Sequence, residues 1–190
     1  MTKLLIFDNY DSFTYNLVHL VEKIKEVKLE VVLNDQIAIE RIKEFDKIIL
    51  SPGPGVPSEV ALMKEMIQTY GATKSILGVC LGHQAIGEAF GARLKNLEQV
   101  FHGVATPIKI TDPRNKLFKG MDTNQLVGRY HSWVVSSEFF PKELIVTAVD
   151  EDNNIMALKH HFYDIQGVQF HPESILTPCG EKMMRNWLND

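Results

Sequence analysis

Cysteine is scarce: only Cys80 and Cys179 occur in 190 residues. They stand far apart in unlike surroundings, so no disulfide framework is implied and a reducing, cytoplasmic setting is expected. Positive charge is not in excess either, with 20 Lys and Arg against 24 Asp and Glu and a formal charge of −4. That balance leaves no basic footprint for nucleic acid or an anionic membrane. Long apolar runs are missing; the opening run KLLIF (Lys3–Phe7) stops at Asp8, too short for a signal peptide or a membrane span. Repeats, low-complexity tracts and linkers are lacking, and no glycine-rich stretch ends in the GK[ST] of a phosphate loop. What is there, 45% hydrophobic and 23% charged residues, is the make-up of a folded globular chain. Its length suits one domain, 1–190, with one good core.

Periodicity divides the chain into two styles. Lys3–Phe7, Leu29–Leu33, Lys47–Leu50 and Ser75–Val79 read as short buried strands. Helical patterns lie between and after them: one with Phe13, Leu17, Leu20, Val21 and Ile24 on one face, one near Ser58–Thr69, and one from Leu81 to Phe90. Asp11 or Ser12 is placed to cap the first. Strands alternating with helices of this length predict crossover connections and a mostly parallel sheet. After Gly91 the pattern changes to short β-type segments: Val104–Ile110, Leu126–Tyr130, Leu144–Val149, Ile155–Lys159 and Ile165–Phe170. These are expected to add antiparallel strands at the sheet edge or to form a small second layer, before a last helix over Gly180–Leu188 with Met183 and Met184 facing the core. The expected architecture is three-layer α/β.

Three stretches carry chemistry. Gly78-Val79-Cys80-Leu81-Gly82 has a nucleophile flanked by glycines where a strand gives way to a helix. A sharp strand-to-helix turn crowds the positions two before and two after its apex, so glycine is required there. The apex sulfur would stand at the carboxyl edge of the sheet, beside a helix N-terminus that favours its thiolate. His83 lies in the first turn of the same helix, on the helix wall, and is a poor base for Cys80. No second cysteine–histidine cluster completes a zinc site, so no metal is expected. His171-Pro172-Glu173 is the better candidate: proline favours extended backbone, which turns residues i and i+2 to one side and sets an imidazole beside an orienting carboxylate. Ser51-Pro52-Gly53-Pro54-Gly55 makes a rigid turn with exposed backbone N–H groups, suited to an oxyanion hole or a ligand clamp. Cys179 reads as an incidental thiol. From residues alone, a cysteine hydrolase acting by itself and an inactive binding module remain alternatives.

SPGPG, GVCLGHQ and GVQFHPES together resemble the class I (triad) glutamine amidotransferases, and the resemblance covers essentially the whole chain. DNYDSFTYN and RYHSWVV resemble the branch that serves chorismate-using enzymes. The resemblance implies that Cys80 attacks the glutamine side-chain carbonyl, that His171 is its base, and that Glu173 orients His171. It implies an oxyanion hole from the N–H of Leu81 and of a glycine in Gly53-Pro54-Gly55, and glutamine binding by Gln84, Ser132 and Trp133. The implied partner is a chorismate-binding large subunit, component I of anthranilate synthase or of aminodeoxychorismate synthase. No cofactor is implied in this chain; Mg2+ is expected in the partner. DNYDSFTYN lies where it could help dock that partner. Phe101-His102-Gly103-Val104 departs from the family pattern, which often has a basic residue after the glycine; this bears on loop contacts to the partner.

Overall fold

Leu4, Leu5, Ile6 and Phe7 are all fully buried, which is why their stretch of sequence is continuously apolar: the strand they form is covered on both faces. The computed structural model describes residues 1–24 and 26–189; Lys25 and Asp190, within the expected span 1–190, lie outside the described residues. The first half alternates as predicted: β1 (Lys3–Asp8), α1 (Thr14–Ile24), β2 (Lys28–Leu33), β3 (Lys47–Leu50), α2 (Ala61–Tyr70), β4 (Ser75–Val79) and α3 (Leu81–Ala89). The second half contains β5 (Leu94–Asn96), β6 (Val104–Ile110), β7 (Asn124–Arg129), β8 (Trp133–Val135), β9 (Leu144–Asp150), β10 (Ile155–His160), β11 (Ile165–Val168) and α4 (Gly180–Leu188).

Among the described residues, nine strands form one sheet in the order β2-β1-β3-β4-β11-β10-β9-β6-β7. The first five run parallel. From β11 onward each neighbour is antiparallel. Side chains alternate across the sheet with period two. Leu4 and Ile6 therefore join Leu17, Val21, Met183, Met184 and Trp187 of α1 and α4 in one core layer. Leu5 and Phe7 join Met63, Met66, Leu81, Ala85 and Ile86 of α2 and α3 in the other. This is the expected three-layer α/β architecture. No helix among the described residues is long and apolar enough to cross a membrane.

Four features differ from expectation. Ile165–Val168 is not an antiparallel addition at the edge: it pairs antiparallel with β10 but parallel with β4, with Gly167 opposite Gly78, and so enters the middle of the sheet. The pairing follows from its full burial, which an edge position could not give. Phe13 precedes α1 and stays 37% exposed, leaving Thr14, Leu17, Val18 and Val21 as the buried face. The 58–69 helix is split, with a 3₁₀ turn at Pro57–Glu59 and α2 starting only after Val60, whose φ of −124° and ψ of 73° are not helical. A separate ribbon, β5 paired with β8, carries Trp133 and had no clear period in the sequence. The carboxyl ends of β1, β3, β4 and β11 all open on one edge, where the sequence placed its candidate residues.

Candidate active site

The turn between β4 and α3 is strained at its apex. Cys80 has φ 51° and ψ −98°, a region that non-glycine residues seldom occupy and that concentrates at functional sites. Its neighbours are glycine for steric reasons. A Cβ on Gly78 would lie 2.5 Å from the carbonyl carbon of Gly82, and one on Gly82 would lie 2.6 Å from Cβ of Leu50, with the Leu50 carbonyl oxygen closer still. The turn can therefore form only because strand β3 and the start of α3 meet without side chains between them. The Cys80 N–H donates to the carbonyl of Val168 (2.8 Å), tying the apex to β11. Cys80 precedes the first residue of α3, where the helix dipole favours negative charge on the sulfur.

The parallel placement of β11 brings the His171-Pro172-Glu173 segment to the same edge. Two bonds fix its backbone: the His171 N–H donates to Gly128 O (3.0 Å), and Thr177 Oγ1 donates to His171 O (2.6 Å). His171 Nδ1 meets Glu173 Oε1 at 2.6 Å, with the two side chains only 4% and 1% exposed. An ionised carboxylate only accepts, so Nδ1 carries the proton and Nε2 is the nitrogen left for the sulfur. Burial alone would depress the imidazole. The Cys80 side chain and the Glu173 carboxylate outweigh that burial and hold His171 well above its usual value, up to about 10. Rings brace it as well: Tyr130 lies edge-on at 4.8 Å and Phe13 at 6.1 Å between centroids. Asp11 is near enough to feel this pair. Burial pushes its carboxyl up to about 6; His171 opposes that shift and Glu173 adds to it. Its Oδ2 accepts from the Phe13 N–H (3.1 Å), so of the two proposed caps it is Asp11 that braces the entry to α1.

Beside Cys80 opens a cavity of about 240 Å³. Gly53, Pro54, Gly55, Leu81, Gln84, Ser132 and Trp133, the residues expected to bind substrate, all line it with Cys80. The SPGPG turn is held by Asn9, whose N–H donates to Ser51 Oγ and whose side-chain Nδ2 donates to Ser51 O, both at 2.9 Å. A Cβ on Gly53 would strike Asn9 at 2.6 Å, so the close approach requires glycine. Leu81 is the first residue of α3, and an N–H at that position has no acceptor within its own helix.

Several contributors were not singled out from sequence. Val100, Phe101, His102, Tyr130 and His131 also line the cavity. Phe101, His102, Tyr130 and His131 lie in FHGV and RYHSW, stretches read for the family branch and the partner and not for this cavity, and Val100 precedes the first; no residue pattern there predicts how they wrap back over the site. Gln169, inside GVQFHPE, lies against Cys80 with Nε2 at 3.6 Å from Sγ. His83 is fully buried; burial pushes it down to about 3, partly offset by the Gly167 backbone, and it does not line the cavity. Cys179 is half-buried before α4, and burial raises its thiol. Among the described residues, no group of three or more His, Cys, Asp or Glu side chains converges as metal ligands.

Chemically, the edge offers a strained sulfur, an imidazole paired to a carboxylate, backbone donors and a cavity for a small polar molecule. The glutamine amidotransferase class-I family model matches residues 5–190. Anthranilate synthase component 2 of Saccharolobus solfataricus is 44% identical, covering 97% of each chain. The aminodeoxychorismate/anthranilate synthase component 2 of Bacillus subtilis is 41% identical over 97% of this chain and 95% of its own. Among solved structures, a glutamine amidotransferase of Thermotoga maritima aligns with a TM-score of 0.73 at 15% identity, covering 99% of this chain and 81% of that one, a likeness of fold alone.

Proposed function

The chain belongs to the class-I glutamine amidotransferase family, and from that premise we propose that it hydrolyses glutamine at Cys80 and hands the ammonia to a chorismate-aminating partner that forms anthranilate. The observation that carries this reading is the buried His171–Glu173 pair set beside the strained Cys80 and its cavity. Glutamine enters with its carboxamide toward Cys80. His171 takes the thiol proton and, held up as it is, keeps it as an imidazolium while the sulfur, now a thiolate, attacks the carbonyl carbon. The oxygen, now negative, is held by the N–H of Leu81 and a glycine N–H of Gly53-Pro54-Gly55. When the C–N bond breaks, the departing nitrogen receives that proton and leaves as ammonia, with the acyl group bound to sulfur as a thioester. Water then attacks the thioester, His171 takes its proton and returns it to the sulfur, and glutamate is released. Splitting one hard step into two easier ones is the gain from the covalent route.

Gln84 supports glutamine binding through chemistry already visible in its contacts. Its Nε2 is committed to Trp133 O (2.9 Å) and Gln169 Oε1 (3.2 Å), so toward a ligand it offers a carbonyl oxygen, an acceptor for an ammonium group. Ser132 and Trp133 complete the contacts to the substrate's amino-acid end. No cofactor is assigned to this subunit; Mg2+ belongs with the partner. Free ammonia is useful only if an acceptor receives it before water protonates it, which is why a second subunit is part of the proposal. Exposed Tyr10, Tyr15 and Ile175 at 55, 65 and 95% exposure support a docking face near DNYDSFTYN. A second product, aminodeoxychorismate, is kept because the Bacillus subtilis relative's name joins both. The test is co-purification of the chain from its host followed by incubation with chorismate, Mg2+ and glutamine. Anthranilate is expected; aminodeoxychorismate selects the second product; neither, with ammonium also failing, overturns the chorismate assignment.

A further inference from the structure

Gln169 is fully buried and lies two residues before His171, yet nothing in the triad requires it. Its side chain bridges two polar groups. Nε2 is 3.6 Å from Cys80 Sγ, and Oε1 accepts from Gln84 Nε2 at 3.2 Å. Which end of an amide faces which partner is settled by chemistry here. A main-chain carbonyl oxygen can only accept, so Gln84 must turn its Nε2 toward Trp133 O, at 2.9 Å. That same Nε2 faces Gln169, which must answer with its own oxygen. The Gln169 N–H therefore points at sulfur.

The carbonyl at the head of this sequence is itself held. His131 Nδ1 lies 3.0 Å from Trp133 O, and Arg129 Nε lies 3.0 Å from His131 Nε2. Arginine only donates, so His131 accepts at Nε2 and donates from Nδ1. Burial first, and the Arg129 charge second, push His131 down to about 3, which keeps it neutral and in that tautomer. Arg129 is anchored in turn by Asp150 Oδ2 at 3.0 Å and by the Phe101 ring 3.6 Å from its guanidinium carbon. Donor directions run one way from Arg129 to the Trp133 carbonyl, and Gln84 and Gln169 carry the constraint on to Cys80.

From this geometry we propose that Gln169 is a further catalytic residue: its side-chain N–H donates to the Cys80 sulfur, stabilising the thiolate before attack and again when the thioester C–S bond breaks and the electron pair returns to sulfur. Arg129 and His131 are positioning residues that keep the amide from turning over. The proposal rests on Cys80 being the nucleophile, as in the function proposed above.

The experiment is the rate of Cys80 alkylation by iodoacetamide against pH, resolved from Cys179 by peptide mass mapping, with thermal melts as a folding control. The titratable groups around the sulfur and its cavity are His171 with Glu173 behind it, Asp11 from the turn after β1, and His102, Tyr130 and His131 from the wall. These are unchanged in Gln169→Leu, which removes only the amide. The pH of half-maximal rate should rise by about one unit, as loss of one donor to an anion predicts. A thiolate with a less acidic parent is the better nucleophile, so the plateau rate should rise about threefold while the rate below the midpoint falls about threefold. Gln169→Glu keeps the shape but turns an acceptor to the sulfur, and should shift the midpoint further up than Gln169→Leu. If Gln169 only fills space, the Gln169→Leu profile keeps its midpoint, and that result overturns the proposal. Wild-type Cys80 that reacts no faster than Cys179 would overturn the nucleophile assignment as well, so the two failures are distinct.

Discussion

Gly82→Ala probes the elbow at its tightest point. The added Cβ would lie 2.6 Å from Leu50 Cβ and nearer still to the Leu50 carbonyl oxygen, whereas ordinary contact begins near 3.4 Å. Neither neighbour can rotate away, because Leu50 ends β3 and its backbone is paired with β1 and β4. The helix start must move by nearly 1 Å. Overpacking of this kind costs about 1–3 kcal/mol of stability. The larger effect falls on Cys80, two residues away at φ 51°, since a displacement of about 1 Å in a reacting group costs on the order of 10²-fold in rate. Urea unfolding gives the first quantity, and glutamine hydrolysis with the partner subunit present gives the second. A variant that loses less than about 0.5 kcal/mol, within the range of an ordinary surface change, and keeps full activity would refute the argument that this contact shapes the site.

Glu173→Gln removes the carboxylate that, together with the Cys80 side chain, holds His171 up. The raised imidazole contributes stability that is present in full below about 6.5 and is lost as pH climbs through about 10; urea unfolding at pH 7 and pH 9 should show a smaller alkaline loss in the variant, and an unchanged loss would contradict this origin. Asp11 is raised to about 6 by burial, so its contribution is present below the ordinary 3.8 and lost as pH rises through 6. Asp11→Asn keeps an acceptor for the Phe13 N–H, and should compare more favourably with the wild type at pH 8 than at pH 4. Arg129→Met strips Asp150 of its buried partner, with side chains 2% and 4% exposed. Such losses cost about 3–5 kcal/mol. Asp150 keeps three donors from its own turn, so the low end is expected in urea unfolding; a loss below about 1 kcal/mol would contradict the buried pair's role.

Much of this was legible because local chemistry demanded it. Gly78 and Gly82 announce the elbow, since no other residue fits beside Leu50 and the helix start. The HPE spacing announces the pairing of His171 with Glu173. The continuous apolar strands announce a sheet covered on both faces, and their alternation assigns Leu4 and Leu5 to opposite layers. What stayed hidden depends on long-range pairing. Ile165–Val168 has the same β-type composition as its neighbours, and only its place beside β4 makes it parallel and brings His171 to Cys80. Phe13 fits an apolar helix period but serves against His171 instead. Arg129, His131 and Gln169 look like ordinary polar residues until the fold aligns them from β7 to the elbow. Asn9 likewise reads as a turn residue, and its work of bracing Ser51 across the sheet is visible only in three dimensions.

The central claim is that glutamine is cleaved through an acyl thioester on Cys80. Rapid quenching of the partner-bound enzyme with glutamine, followed by peptide mass mapping, tests it most directly. A glutamyl group, glutamine less ammonia, should appear on Cys80 early in turnover and should be absent from Cys80→Ser. Glutamate formed at full rate while Cys80 stays unmodified and Cys80→Ser stays active would contradict it.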